Sequence, residues 1–370
     1  MLGLTFLSPF LFYSFLVICC INLGYFLYFS VFNAEEQKEN GSLQNDGISV
    51  IICAKNEAAQ LPALIEKLLL QDFPLFEIIM INDHSSDASL GIMQDFEKRN
   101  ANISVFDLKS TTGKKAGITL GIKNAQYETL VFTDADCLPA SNQWLKKMSA
   151  AFSRETQIVL GYGAYKKFKG SVLNKLIRFE TLLTALQYCS YALRKNPYMG
   201  VGRNLAYSKS LFNTSGGFEA HNHVKPGDDD LFVNQNATPT NVAVCTKPEA
   251  FTISAPKTNW RDWFIQKRRH VGVAHLYLPK HQLQLGMFYT SQLLFFILFA
   301  LVLVTQGYLL PAVGLFFTRE LYVWRVYAKA AKKLKEQDLI FYSLLLEPFL
   351  VSLQLLIFIT NTLVKPRRWK

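Results

Sequence analysis

Two carboxylates one residue apart, Asp134 and Asp136, follow a short apolar run at residues 130–132. The run predicts a buried strand of a parallel sheet, and Pro139 prevents its continuation. Because ligands of open α/β sheets bind at the carboxyl ends of the strands, both acids are expected at a ligand-binding edge. Two hard oxygen ligands there suit Mg²⁺ or Mn²⁺ carried by a phosphate group. For this pair alone, a merely solvated acidic loop is the competing interpretation.

The segments around these acids alternate between two apolar patterns. Apolar and β-branched runs predict strands at residues 48–54, 76–81 and 103–106, and helical spacing predicts helices at residues 57–71, 90–98 and 112–124. Asn56 stands where it would cap the first of these helices. Strands that alternate with helices predict a doubly wound, mostly parallel α/β sheet.

Asp83 follows the second predicted strand and would lie beside Asp134 at the same edge. A carboxylate there can accept the ring N–H that uracil and guanine, but not cytosine, offer next to a carbonyl. Capping of the helix that follows is the other explanation for Asp83, and it is the one expected for Asp87.

Lys114 and Lys115 lie at the start of the predicted helix at residues 112–124. The helix dipole disfavours cations at that end, so the dipole does not explain the pair. A nearby anionic ligand such as phosphate would explain it, since helix N-termini and lysines both bind phosphate. A solvated lysine pair is the alternative.

Three adjacent carboxylates, Asp228, Asp229 and Asp230, precede a short predicted helix that runs through residue 235. Asp228 could simply be its N-cap, followed by two first-turn acids. Mutual repulsion could instead raise the proton affinity of one carboxylate to a value useful for a general base. His221 and His223 stand nearby without further metal ligands and are expected to be surface residues.

Residues 48–57, 81–87, 113–115 and 134–136 resemble, in order and spacing, the successive motifs of family 2 glycosyltransferases. The resemblance implies the GT-A fold, a nucleotide-diphosphate sugar donor and a divalent metal, Mg²⁺ or Mn²⁺. It also implies a set of donor-binding residues: Ala54, Asn56, Glu57, Asp83 on the base, Lys114, Lys115, and Asp134 near the sugar or ribose. Asp136, with Asp134, would hold the metal. Asn82 departs from the family, which often has a second Asp there.

Downstream, residues 199–207 and 216–218 resemble the acceptor-side segment of the same family. Residues 228–229 resemble its Glu-Asp motif with Asp in place of Glu. This implies that Asp229 is the base that deprotonates an acceptor hydroxyl, with Asp228 beside it.

Residues 259–270 are aromatic and basic, and they predict a helix at a membrane interface. Gln266 and Arg269 fall on one face of that helix. They resemble the Gln-x-x-Arg-Trp motif of membrane-bound family members, with His270 where Trp is usual. By that resemblance Arg269 would neutralise the departing diphosphate.

Part of the chain is expected in lipid, because 50% of its residues are hydrophobic and its mean hydropathy is +0.14. Residues 4–32 carry no charge and are long enough to span a bilayer. They lack the basic start and short apolar core of a signal peptide, so a retained anchor is predicted. Residues 287–305 and 308–326 predict a hairpin of spanning helices, in which Arg319, Glu320 and Arg325 must pair or snorkel.

Residues 339–364 are long enough to span once more, which creates a conflict. The basic residues within 329–335 indicate a cytoplasmic loop, and a single crossing would then put the basic residues 365–370 on the outside. A re-entrant segment and a broken charge rule both stay open.

The net charge indicates which kind of partner the protein binds, and the cysteine spacing bears on disulfides and zinc sites. The net charge of +11 comes with basic clusters near apolar segments, which fits an anionic membrane surface. No nucleic-acid partner is expected, because no nucleic-acid motif accompanies the charge. The six cysteines show no CxxC spacing, which favours reduced thiols over disulfides or a zinc site.

These observations predict an integral protein of a bacterial inner membrane, with its catalytic domain in the cytoplasm. The predicted division is an anchor (1–33), a linker (34–47), a GT-A domain (48–257), an interfacial segment (258–285), a transmembrane region (286–364) and a basic tail (365–370). The predicted function is transfer of a sugar from a UDP- or GDP-linked donor to a lipid-linked or membrane-proximal hydroxyl, and the family resemblance implies that the transfer is inverting. A processive polysaccharide synthase and a non-catalytic membrane scaffold are the alternatives.

Overall fold

The computed structural model of the protein describes residues 2–34, 46–109, 111–224 and 226–364. The predicted linker lies largely outside these ranges, and the predicted basic tail lies entirely outside them. The chain divides into two compact units. We call Met1–Glu35, Gly170–Ser190 and Lys257–Lys370 the helical unit, and Glu36–Lys169 and Tyr191–Pro256 the sheet unit. Residues 170–190 therefore belong to the helical unit, although the sequence predicts one continuous domain at 48–257.

The elements of the described ranges follow in chain order. The strands are β1 (Ile48–Ala54), β2 (Phe76–Asn82), β3 (Ile103–Asp107), β4 (Thr129–Phe132), β5 (Cys137–Pro139), β6 (Ile158–Gly161), β7 (Gly163–Tyr165), β8 (Leu205–Ser208), β9 (Val242–Cys245) and β10 (Thr252–Ser254). The helices are α1 (Leu2–Phe29), α2 (Val31–Ala34), α3 (Leu61–Leu69), α4 (Ser89–Arg99), α5 (Lys114–Asn124), α6 (Trp144–Ser149), α7 (Val172–Leu193), α8 (Lys209–Thr214), α9 (Asp230–Asn236), α10 (Trp260–Val271), α11 (Pro279–Thr305), α12 (Leu309–Lys333) and α13 (Ser343–Leu363).

Within the described residues, the larger sheet has seven strands in the order β3-β2-β1-β4-β8-β6-β9. Its first four strands are parallel, and β8 is antiparallel to both β4 and β6. This confirms the predicted mostly parallel α/β sheet. The strand order reverses between β1 and β4, so a crevice lies at the carboxyl ends of these two strands, where ligands of doubly wound sheets bind. A smaller sheet has the order β5-β10-β7.

The central strands are buried along nearly their whole length because helices cover both faces of the sheet. On one face, Val50 and Ile52 of β1 belong to a buried cluster with Leu64 and Leu68 of α3. On the other face, α5 approaches the sheet through glycine. A Cβ at Gly121 would lie 2.7 Å from Ile51 and 2.9 Å from Ile81.

This close approach predicts opposite effects for two Gly→Ala changes. Gly121→Ala should lower the apparent unfolding temperature of the protein, because overpacking a core costs about 1–3 kcal/mol. Gly91→Ala in α4 is the matched control, since nothing lies within 4 Å of its Cβ position. It should stabilise the helix by roughly 0.5–1 kcal/mol. Thermal unfolding in one detergent at one scan rate measures the apparent unfolding temperatures of both variants. Shifts of the same sign in these two temperatures would contradict the packing described.

The predicted helix at 57–71 begins later, at Leu61, and the prediction that Asn56 caps it is wrong. Asn56 adopts a left-handed conformation with φ of 58°. Its side-chain oxygen accepts the backbone N–H of Ser86 at 2.8 Å. The N–H of Glu57 donates to Ser89 Oγ at 2.8 Å. The residues after β1 are therefore bound to the loop after β2, and a helix cannot start among them.

Three helical stretches of the described chain are long and apolar enough to cross a membrane: Leu7–Ala34, Pro279–Thr305 and Gln337–Leu363. The predicted hairpin corresponds to α11 and α12, but α12 is not among these three stretches, so its crossing stays a prediction. Arg319 of α12 pairs with Glu320 at 2.7 Å and donates to Glu347 of α13 at 2.9 Å. It also donates to Asn22 of α1 at 2.8 Å. These buried charges therefore have partners within the helical unit, as the sequence predicts.

Candidate active site

The carboxyl ends of β1, β2 and β4 bring the predicted acids to one edge of the larger sheet. Asp83 follows β2, and its backbone N–H donates to the carbonyl of Ala54, the last residue of β1, at 2.9 Å. Asp134 and Asp136 follow β4 after Thr133. This arrangement places acidic groups around the crevice where the strand order reverses.

Asp83 fixes the start of α5. Both of its carboxylate oxygens accept the N–H of Gly113 at 3.1 Å. Gly113 has φ of 100°, a backbone conformation that residues with a side chain rarely adopt, and α5 begins at the next residue. Lys55 Nζ lies 3.9 Å and His84 Nδ1 lies 3.2 Å from the carboxylate. Asp83 therefore sits at the crevice with an oriented carboxylate. Asp87 stands one residue before Ala88, the N-cap position of α4, and accepts the N–H of Ser89 at 3.0 Å.

Lys114 links the acids from two segments. Its ammonium lies 2.7 Å from Asp134 Oδ1 and 2.9 Å from Asp228 Oδ2. Burial by itself lowers the pKa of Lys114, but the charges of Asp134, Asp228 and Asp229 outweigh it and raise the pKa well above its ordinary value. Lys114 is therefore a permanent cation between the two groups of carboxylates.

Lys115 makes different contacts, because adjacent residues of a helix lie about 100° apart around its axis. Its buried ammonium donates to the backbone carbonyls of His221 at 2.7 Å and Val224 at 2.8 Å. The prediction that His221 is a surface residue is wrong, since only 2% of it is exposed. Its ring contacts the carbonyl of Gly227 at 2.9 Å and Gln235 Oε1 at 3.0 Å. Lys115 and His221 therefore hold the segment that leads to Asp228, whereas His223 is exposed as predicted.

Asp229, not Asp228, is the N-cap of α9. One carboxylate oxygen accepts the N–H of Asp230 at 2.7 Å, and the other accepts the N–H of Gly202 at 2.6 Å. Burial and the neighbouring charges of Asp228 and Asp230 raise the pKa of Asp229 to about 8, although Lys114 and the Gly202 N–H oppose the rise. A carboxylate with this pKa can hold or release a proton near neutral pH.

Asp134, Asp136 and Cys137 place potential metal-binding atoms within 4.8 Å of one another. Burial, together with the charges of Asp134 and Asp136, raises the pKa of the Cys137 thiol, so the thiol stays protonated. It donates to Asp136 Oδ1 at 3.2 Å. The donor set for a cation is therefore two carboxylates, which fits a hard ion such as Mg²⁺ or Mn²⁺ that takes its other ligands from phosphate and water.

Arg203 was not among the residues predicted for the site. Its guanidinium lies 4.1 Å from the centre of the Tyr165 ring and donates to Ser254 Oγ at 2.9 Å. Its backbone carbonyl accepts the hydroxyl of Thr133, one residue before Asp134, at 3.1 Å. Arg203 is the single charged residue of the run at residues 199–207, and this is the signal that could have drawn attention to it.

Gln266 and Arg269 lie in α10, which belongs to the helical unit. Both are half-buried. Between them Lys267 forms an ion pair with Glu180 of α7 at 2.8 Å. The roles implied for Gln266 and Arg269 stay predictions.

Comparison with known proteins matches one part of the chain to a family. Residues 49–216 match the model of the family described as Glycosyl transferase family 2. A poly-beta-1,6-N-acetyl-D-glucosamine synthase of Staphylococcus epidermidis is 38% identical over 93 residues, which are 25% of this chain and 22% of that protein. A cholesterol galactosyltransferase of Borreliella burgdorferi is 36% identical over 89 residues, 24% of this chain and 25% of that protein. The matched segments thus span about a quarter or less of the length of these two relatives.

A solved structure supports the fold of the chain. A mannosyltransferase of Pyrobaculum calidifontis, in complex with GDP-Man and Mn²⁺, superimposes with a TM-score of 0.57 at 15% identity. The likeness covers 95% of this chain and 99% of that one. At this identity the likeness shows the fold, which is the GT-A fold.

Proposed function

We propose that this chain, a glycosyltransferase whose residues 49–216 form a family 2 domain, moves a sugar from a nucleotide-diphosphate sugar to a hydroxyl of a lipid-linked or membrane-proximal acceptor. The observation that carries the proposal is the cluster around Lys114. It joins Asp134, on the edge where a donor would bind, to Asp228, beside a carboxylate with a raised pKa. The family match ends at residue 216, so the assignment of Asp229 is supported by this geometry and by the order of the motifs.

For the donor, we assign Asp83 to the base and Asp134 to the sugar or ribose. Asp83 keeps acceptor capacity beyond the Gly113 N–H, so it can bind the ring N–H of uracil or guanine. Lys114 places a permanent positive charge beside Asp134, where phosphate oxygens need one. Lys115 supports the same site through backbone contacts, since its ammonium is buried against two carbonyls.

For the metal, Asp136 and Asp134 are the residues that would hold Mg²⁺ or Mn²⁺. The bound ion would neutralise charge that develops on the leaving diphosphate. The positive charge that the resemblance implies for Arg269 at this step stays a prediction.

For the chemistry, the carboxylate of Asp229 accepts the proton of the acceptor hydroxyl while that oxygen attacks the anomeric carbon. The bond from the anomeric carbon to the diphosphate breaks on the opposite side, so the configuration inverts. The Gly202 N–H holds one carboxylate oxygen of Asp229 in place. General-base assistance of this kind typically contributes roughly 10²–10⁴-fold in rate.

A processive synthase is the second candidate, and the 38% identity to a polysaccharide synthase over 93 residues favours it. The number of helices opposes it. Three stretches of the described chain are long and apolar enough to cross a membrane, which gives few surfaces to enclose a path for a growing sugar chain. The identity to a cholesterol galactosyltransferase, over 89 residues, agrees with an acceptor that is itself a lipid.

Product size separates the two candidates. The purified protein in nanodiscs is supplied with labelled UDP- or GDP-linked sugars, Mn²⁺ and a bacterial lipid extract. We expect a product that partitions into organic solvent and carries one or a few sugars. Long water-soluble polymer made by monomeric protein would contradict the proposed single addition while leaving the proposed chemistry intact.

A further inference from the structure

Tyr207 of β8 carries a buried hydroxyl. The residue is 1% exposed, and its Oη has no hydrogen-bond partner among the residues that the structure describes. A buried hydroxyl without a partner lowers the stability of a protein, whereas a phenylalanine would fill the same apolar space without that penalty. Packing alone therefore does not account for the hydroxyl.

Aromatic neighbours hold the ring of Tyr207 in place. It stacks on Phe132 of β4 with centroids 4.3 Å apart. The ring of Phe232 in α9 contacts it with centroids 4.5 Å apart. The backbone of Tyr207 pairs with that of Leu130 in the antiparallel ladder between β4 and β8. The ring and its hydroxyl are therefore fixed in position.

A small cavity lies between α5 and the larger sheet, next to the acids of the candidate active site. Its volume is about 10 Å³, which suits a single water molecule and nothing larger. Lys114, Asp228 and Tyr207 line the cavity, together with apolar side chains such as Ile51 and Ile118. The wall thus combines a cation, a carboxylate and a hydroxyl-bearing residue.

The charges of this wall act on the hydroxyl of Tyr207. Burial raises the pKa of Tyr207 well above its ordinary value, and the charge of Asp228 adds to the rise while that of Lys114 opposes it. The hydroxyl therefore stays neutral and can donate one hydrogen bond and accept others. The ammonium of Lys114 has three N–H donors, and its two acid partners are Asp134 at 2.7 Å and Asp228 at 2.9 Å. One N–H of Lys114 is left for a further acceptor.

We propose that one buried water molecule occupies this cavity and joins the hydroxyl of Tyr207 to Lys114 and Asp228, which makes Tyr207 a positioning residue for the donor side of the site. The water accepts the remaining N–H of Lys114, donates to the carboxylate of Asp228 and shares a hydrogen bond with the hydroxyl of Tyr207. About three hydrogen bonds are typical of a buried water. The buried hydroxyl then has a partner, as buried polar groups in proteins nearly always do.

The consequence for sugar transfer rests on the proposed function, in which Lys114 provides positive charge for the phosphates of the donor. A lysine side chain has many rotamers, and ordering it costs entropy. A water bound to the fixed hydroxyl of Tyr207 holds the ammonium in place before the donor arrives. Because a group that is already in position costs less to order on binding, Tyr207 strengthens donor binding and takes no part in the chemical step.

The sign of a stability change tests for the water. Tyr207→Phe removes the hydroxyl and keeps the ring, so a hydrogen bond of a buried network is lost. The apparent unfolding temperature of the donor-free protein should therefore fall by about 2–4 °C. Tyr127→Phe is the matched control, because Tyr127 is half-buried and does not line the cavity, and it should leave this temperature unchanged. An equal or higher unfolding temperature for Tyr207→Phe would overturn the proposal, since removal of an unpaired hydroxyl relieves its cost.

Donor affinity, measured by calorimetry with the nucleotide sugar and Mn²⁺, tests the positioning role. Tyr207→Phe should weaken donor binding by roughly 2–10-fold, the effect of one hydrogen bond, and the loss should not appear in single-turnover transfer at saturating donor. In a Lys114→Met background the same change should have no further effect, because Tyr207 acts through Lys114. An equal loss of affinity in both backgrounds would overturn the positioning role.

The two measurements separate this inference from the proposed function. If the unchanged protein bound no nucleotide sugar, the proposed function would fail. The unfolding temperatures of Tyr207→Phe and Tyr127→Phe need no donor, so they would still decide whether the water is bound.

Discussion

Asp229→Asn is expected to lower sugar transfer by roughly 10²–10⁴-fold, the usual contribution of a general base, while donor affinity stays near that of the unchanged protein. The amide has nearly the same shape as the carboxylate but cannot accept the proton of the acceptor hydroxyl. The start of α9 should be preserved, because Asn is as good an N-cap as Asp. Calorimetry with the nucleotide sugar measures affinity, and single-turnover transfer measures the chemical step.

Two neighbouring variants serve as controls for this effect. Asp230 accepts the N–H of Leu231 at 2.8 Å, and its charge helps to raise the pKa of Asp229 to about 8, so Asp230→Asn should keep the transfer rate at alkaline pH and shift the rise in rate to lower pH. Asp228 pairs with Lys114, so Asp228→Asn should chiefly disturb the donor side of the site. If Asp228→Asn abolished transfer with donor affinity intact while Asp229→Asn did not, the base would be Asp228.

Asp136→Asn is expected to remove metal-supported donor binding, and EDTA should do the same to the unchanged protein. The two carboxylates of Asp134 and Asp136 are the hard ligands of the proposed site, and Cys137 remains a thiol that binds Asp136. Changing even an outer partner of a metal ligand costs about 10–100-fold in metal affinity, so loss of a ligand should cost at least that much.

A direct Mn²⁺ titration monitored by electron paramagnetic resonance measures this loss of metal affinity without any need for turnover. Asp95→Asn is the matched control, because Asp95 is an acid on the exposed surface of α4, 61% accessible to solvent. It should bind Mn²⁺ and donor as the unchanged protein does. Donor affinity that is indifferent to EDTA in the unchanged protein would remove the metal from the mechanism.

The residues that could be predicted from the sequence are those fixed by their place at strand ends. Asp83 follows β2 directly and Asp134 follows β4 after Thr133, and parallel strands bring their carboxyl ends to one edge whatever the loops do. The fold follows from the same alternation of strand and helix. The loop of Asn56 could not be predicted, because its conformation depends on hydrogen bonds to Ser86, thirty residues away.

The residues that could not be predicted depend on contacts between distant segments. Lys114 and Lys115 are adjacent and chemically alike, yet one binds Asp134 and the other binds the carbonyl of His221, more than one hundred residues away. The burial of His221 results from that same contact.

The most direct test of the central claim, that Asp229 is the base of a sugar transfer, is the pH dependence of single-turnover transfer in the unchanged protein and in Asp229→Asn. Burial and two adjacent carboxylates raise the pKa of Asp229 to about 8, and only the deprotonated form can accept the hydroxyl proton. Transfer by the unchanged protein should therefore rise as the pH increases through about 8 and then level off. The variant should be slow at every pH and lack this rise. The same pH profile in both proteins would contradict the assignment of Asp229 as the base.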